Sequence, residues 1–134
     1  MKKSVFKLNF NLPNDILEDK VINSGIDPDV YEELSECLAL EEEFEGNLQQ
    51  ILLVNDRELE LIFEILNKVE IQFIFTDITL QVLQSRISFN DEEFQQEIDQ
   101  FVQDNLTVDI ILDKINLYGI KSLTKYEENF LKLS

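Results

Sequence analysis

Glu41, Glu42, Glu43 and Glu45 form the tightest group of chemistry-bearing side chains in the chain, and Asp91-Glu92-Glu93 forms a second. Carboxylates at this density can hold a hard cation, work as an acid/base pair, or face a cationic partner; otherwise they simply point to water. Neither group has the spacing of a calcium loop with its central glycine. Between Asp15 and Glu45 the only basic residue is Lys20. The rest of the catalytic repertoire is thin. With His 0, the sequence has no Ser-His-Asp or Cys-His nucleophile and lacks the imidazoles of most catalytic zinc sites. Gly 3 leaves no phosphate cradle, and neither a P-loop nor a dinucleotide fingerprint is present. Cys37, beside Leu34 and Leu38, reads as a small packed apolar residue rather than a nucleophile. Asp77 closes an apolar segment where α/β sheets often carry sites, but an aspartate there more often caps the next turn. No catalytic residue, metal or cofactor is expected.

Composition narrows the partners. The 134 residues suit one compact domain, and 44% hydrophobic content with 10 Phe is enough for a core. Lys+Arg 11 against Asp+Glu 28 gives a net charge of -17. Such a field repels nucleic acid and anionic lipid and favours a basic protein. One Cys fits a reducing compartment, and no apolar run is long enough to span a bilayer. Met1-Lys2-Lys3 resembles a signal-peptide start, but Lys7, Asn9 and Asn11 interrupt the apolar residues after it, so no h-region forms. These signals place the protein in the cytoplasm.

The central stretch, Asp56 to Thr79, sets the architecture. Asn55 or Asp56 caps a helix to about Lys68, with Glu58 at capping-box spacing from Asn55. Its apolar residues wrap most of the circumference, which predicts burial on more than one side. Ile71-Gln72-Phe73-Ile74-Phe75, apolar on both parities, reads as an interior strand covered on both faces. Ser4 to Leu12 alternates as a half-buried strand. Asp15 with Glu18 starts a short helix that Gly25 stops, and Asp27-Pro28 starts another whose buried side carries Val30, Tyr31, Leu34, Cys37 and Leu38. Leu40–Val54 reads as a hairpin turning at Glu45-Gly46-Asn47, in competition with a helix extended through Glu41–Glu43. The resulting order is the ferredoxin-like β-α-β-β-α-β pattern of an α+β fold. Beyond Thr79, Leu80, Val82 and Leu83 fit a short helix or a strand continuation. Asn90 with Glu93 caps a helix whose stripe is Phe94, Ile98, Phe101 and Val102.

The tail, 107–134, reads as a helical hairpin docked on a 1–106 core. Thr107 caps a helix bearing Val108, Ile111, Leu112 and Ile115, with Lys114 near its C-terminus. Gly119 stops it, with Ile120 packing back on Ile115. Thr124 and Glu127 form a capping box for a last helix with Leu123, Tyr126, Phe130 and Leu133 on its buried side. Asp109-Ile110-Ile111-Leu112-Asp113-Lys114-Ile115, then Gly119-Ile120-Lys121-Ser122-Leu123-Thr124, then Glu127 and Phe130-Leu131 resemble the short helical tail module of some bacterial rhomboid-type membrane proteins. More loosely, they are similar to the SHOCT short C-terminal domain. The resemblance covers about a fifth of the chain. It implies a bacterial source and a docking or self-association role, and no protease activity.

The expectation is therefore a non-enzymatic bacterial protein that binds another protein, with a homodimer through the hairpin also open to it. Glu41, Glu42, Glu43 and Glu45, with Tyr118 and Tyr126 flanking the terminal turn, are the candidate partner surface. The alternatives are an acidic immunity, antitoxin or DNA-mimic inhibitor of a basic nucleic-acid-binding protein, and a carboxylate-dependent enzyme.

Overall fold

Strict alternation near the N-terminus becomes β1 (Lys3–Phe10), with Phe6, Leu8 and Phe10 buried on one side and Lys7 and Asn9 half-buried on the other. Successive side chains on a strand point to opposite faces, so three apolar groups two residues apart share one. The computed structural model describes residues 2–35 and 37–133, and the backbone alone at Tyr31 and Ser35; the place of the Tyr31 side chain lies outside the described residues. Two helices follow, α1 (Asn14–Ile22) and α2 (Pro28–Ser35), then β2 (Leu38–Phe44), β3 (Asn47–Asn55), α3 (Asp56–Lys68) and β4 (Phe73–Asp77). The strands form one four-stranded sheet in the order β2-β3-β1-β4, antiparallel at each neighbouring pair. The class is α+β.

Residues 40–54 adopt the hairpin rather than the extended helix. β2 and β3 pair from Leu38↔Leu53 to Phe44↔Asn47. Glu45 and Gly46 have φ of 53° and 82°, the pair of left-handed residues that a two-residue hairpin turn needs to match strand twist. Ile51, Leu52, Leu53 and Val54 are all buried, and burial of that partner strand outweighs the weak strand propensity of three glutamates.

Two expectations about the central stretch are corrected. The interior strand predicted over 71–75 begins only at Phe73, and among the described residues it is an edge strand that pairs with β1 alone. Ile74 is 68% exposed and Phe75 40%. Its mixed parity reflects one covered face and one bare one. Phe73 and Phe75 meet the Phe63 ring of α3, at centroid distances of 5.5 and 5.2 Å, while Ile74 projects from the opposite face by strand alternation. Helix α3 is covered less completely than its apolar pattern predicts, although it meets both β3 and α2. Leu66 is its one buried residue, and Leu59, Leu61, Ile62, Phe63 and Ile65 are half-buried. The helix packs on one face of the sheet, where Leu66 joins Phe6, Leu8, Phe10, Leu17, Leu48, Leu52, Val54 and Ile71 in the core.

The expected Asp15–Glu18 box at α1 does not form. The cap position is Pro13, with no side-chain hydrogen bond, and Asp15 lies inside the first turn, where its charge still complements the helix dipole. At α2 the Asp29 N–H donates to Asp27 Oδ1 at 2.9 Å.

The chain divides into two compact units, Met1–Ile78 and Thr79–Ser134. In the second are α4 (Thr79–Leu83), α5 (Glu92–Asn105), α6 (Val108–Tyr118), a 3-10 turn (Ile120–Ser122) and α7 (Lys125–Lys132). The α5 cap is Asp91, which accepts from the Phe94 N–H at 2.8 Å, and not Asn90 with Glu93. An ionised cap also meets the positive end of the helix dipole. Phe94, Ile98, Phe101 and Val102 are all buried, as their spacing predicts. Thr107 caps α6, and Thr124 with Glu127 closes the capping box of α7.

The turn between α6 and α7 differs from expectation. Gly119 has positive φ but an extended ψ of 160°, which carries the chain away from the helix end. Ile120 is 69% exposed, so most of its side chain lies uncovered. Leu112, Tyr126 and Leu133 are exposed as well, so the helix faces are narrower than the apolar pattern implies.

Candidate functional site

The first place where polar chemistry converges is the start of α3. Asn55 Oδ1 accepts from the Glu58 N–H at 2.9 Å, and Glu58 Oε1 accepts from the Asn55 N–H at 3.1 Å. The other carboxylate oxygen, Oε2, accepts from the Cys37 thiol at 2.8 Å. Burial pushes the Cys37 thiol up to about 12, and the hydrogen bond to Glu58 and the negative charges of Glu58 and Glu33 add to the shift. Burial alone would raise the Glu58 carboxyl, but the thiol, the Asn55 N–H and the nearby Lys3 together hold it below its ordinary range. A thiol held in its neutral form is a poor nucleophile. At about pH 8, iodoacetamide should modify native Cys37 far more slowly than the unfolded chain, and Glu58→Gln should raise the native rate. Equal native and unfolded rates would show that the contact does not protect the thiol. The linked stability effect has a definite sign. Unfolded, the thiol ionises near 9.0; folded, it keeps its proton to about 12. The folded chain binds more protons in that window, so stability falls as pH rises through it.

The four glutamates of the hairpin do not form one cluster. Glu41 and Glu43 are opposite Gln50 and Leu48, on the sheet face that carries the core, whereas Glu42 is opposite Gln49 on the other face. Gln50 Nε2 donates to Glu41 Oε1 and Gln49 Nε2 to Glu42 Oε2, each at 3.3 Å. Glu45 is exposed in the turn. Alternation along β2 separates what adjacency in sequence suggests is joined. Asp91 is occupied as a cap, and Glu92 and Glu93 are exposed in the first turn of α5.

The two tyrosines have different surroundings. Tyr118 is half exposed, but the Arg86 guanidinium lies over its ring at 4.7 Å and hydrogen-bonds its hydroxyl. Arg86 is itself held by buried Gln84, at 2.9 Å. Tyr126 lines an open cleft of 560 Å³ in the second unit with Gln95, Asp99 and Gln103 of α5.

No protein-family model, curated protein or solved structure matches this chain. Among the described residues no group of three or more Cys, Asp or Glu side chains is placed to hold a metal ion, and no helix is long and apolar enough to cross a membrane.

Two features escape sequence reasoning. One is a cavity of 440 Å³ in the first unit, between the core face of the sheet and the helices, lined by Leu17, Val21, Leu34, Leu52, Ile62 and Ile65 among others. No local pattern reveals it, because α1, α2, α3 and the strands β1, β2 and β3 each supply part of its wall. The other is a buried ion pair in the second unit, Lys114 Nζ to Glu127 Oε1 at 2.7 Å. Here a signal exists. Lys114 follows Ile111 by three residues, which puts it on the buried stripe of α6 rather than on its rim.

Proposed function

We propose that this chain is a non-enzymatic protein-binding module of the bacterial cytoplasm, and that its partner adds a basic, extended segment along the outer side of β4 at residues 73–76. The observation that carries this is the edge strand itself. Among the described residues Phe73-Ile74-Phe75-Thr76 pairs with β1 alone, exposes Ile74 and part of Phe75, and contains no Lys, Arg or Pro. Edge strands in soluble proteins are ordinarily guarded by such residues, and an unguarded one is a template for another strand. A net charge of -17 favours a basic partner over a second copy of the same acidic chain. The same proposal treats residues 3–77 as a ferredoxin-like plan with a helix pair in its first crossover, supported by β1 and β3 at the sheet centre. It treats α6 and α7 as an accessory helical module, as the resemblance to bacterial tail modules implies.

The test is capture from a bacterial lysate on immobilised wild type, on Ile74→Lys, and on Ile22→Lys. The last adds the same charge at an exposed α1 position outside the edge. We expect proteins retained by wild type and Ile22→Lys to be lost from Ile74→Lys; identical sets on all three would overturn the edge as the docking site.

A second reading has its own observation. Helix α5 carries Glu92, Glu93, Glu97, Asp99 and Asp104, all exposed, and no Lys or Arg. An acidic immunity, antitoxin or DNA-mimic inhibitor would present such a face to a basic surface. Its capture would be indifferent to Ile74→Lys and would weaken steeply with salt.

A further inference from the structure

We propose that the 440 Å³ cavity of the first unit binds a small amphipathic molecule with an apolar body and a cationic, hydrogen-bond-donating head. This goes beyond the reading of the β4 edge and does not depend on it.

The size is right: small-ligand sites run from about 300 to 1,000 Å³. The walls are right as well. Phe10, Leu17, Leu52 and Leu66 are buried, and Val21, Leu34, Ile62 and Ile65 are half-buried around the opening. An apolar wall left partly in water is stabilised by whatever apolar surface covers it.

The polar lining decides the head group. Among the described residues Glu41 is the carboxylate in the lining, and Gln50 and Cys37 are its neutral polar members. The Gln50 amide N–H group donates to Glu41, and the Cys37 thiol donates to Glu58. One Gln50 N–H and the thiol are thus engaged within the protein. The charged group that a ligand meets is the Glu41 carboxylate, beside the Gln50 amide, which offers its carbonyl oxygen and its second N–H. An ammonium fits these groups, and a carboxylate is repelled by Glu41 and by the charge of the whole chain.

The probes are decylammonium and decanoate, which share a chain length and differ in head group. Binding to the full chain is followed by calorimetry and by the methyl resonances of Leu17, Val21, Leu34, Leu52, Ile62 and Ile65. We expect saturable one-to-one binding of decylammonium with shifts confined to those methyls, and decanoate weaker by about fivefold or more. Ala39→Phe, which leaves charge unchanged and puts a ring into the cavity from exposed strand β2, should abolish it. Glu41→Gln should remove most of the preference for the cation, while Glu42→Gln, the same charge change on the opposite face, should leave it. Binding that does not saturate, or that weakens equally in both Glu variants, would overturn the proposal and show a general attraction of cations to an acidic chain. Survival of binding in Ala39→Phe would overturn the cavity as its location; should that variant fold poorly, methyl shifts outside the cavity in the wild type would overturn it equally.

Discussion

Lys114→Ala should destabilise the second unit by about 3–5 kcal/mol, because it strands a carboxylate in the interior. Lys114 and Glu127 side chains are 4% and 0% exposed. Glu127 Oε1 accepts both the Lys114 ammonium at 2.7 Å and the Thr124 N–H at 2.8 Å, while Oε2 is buried with no hydrogen-bond partner among the described residues. The carboxylate thus closes the α7 cap and is neutralised from α6 at the same time. Removing the ammonium leaves the charge, its desolvation and no counterion. Replacing both groups with neutral ones is a different case, since well-packed neutral substitutes for a buried pair are often tolerated or even stabilising. The double variant Lys114→Met/Glu127→Gln, in which the amide can still accept at the cap, should recover most of the loss. Urea unfolding followed by circular dichroism checks this. A loss under about 1 kcal/mol for Lys114→Ala would mean that water reaches the pair.

Leu8→Ala should cost about 2–5 kcal/mol, the range for emptying a leucine site in a packed core. Leu8 is 0% exposed in β1, with β3 on one side and β4 on the other, and belongs to the core under α3. Ile74→Ala, at the edge of the same sheet, should stay within about 0.5 kcal/mol. Both strands are apolar in sequence, and the contrast between them measures directly which one is central. Similar losses for the two variants would contradict the strand order.

Local chemistry in this chain is legible where one residue decides it. The Asn55–Glu58 and Thr124–Glu127 boxes, the Thr107 cap, the α5 stripe and the hairpin turn all lie where spacing puts them. What spacing cannot convey is which neighbour covers a given side chain. Phe73-Ile74-Phe75 has the composition of a central strand, and only its pairing with β1 alone makes it an edge. Glu41 and Glu42 are adjacent in sequence and on opposite faces in the sheet, a separation that needed β2 to be known as a strand. The cavity beside Glu41 is assembled from segments distant in sequence, so no single stretch announces it. Lys114 was legible and misleading together: its place near a helix end suggests a favourable dipole contact, but the stripe it occupies takes it inward to Glu127.

The two-residue turn at Glu45-Gly46 has a reach well past the hairpin tip. It fixes which parity of β2 looks toward the helices, and thereby which glutamate stands at the cavity mouth. One inserted residue there would slide the strand by a single step and exchange the faces, turning Leu40 and Glu42 inward and Glu41 outward. The loop joining α1 to α2 sets no such phase. Length changes should be far better accommodated there than at the hairpin tip, whose two residues act as the indexing tooth for the whole outer strand.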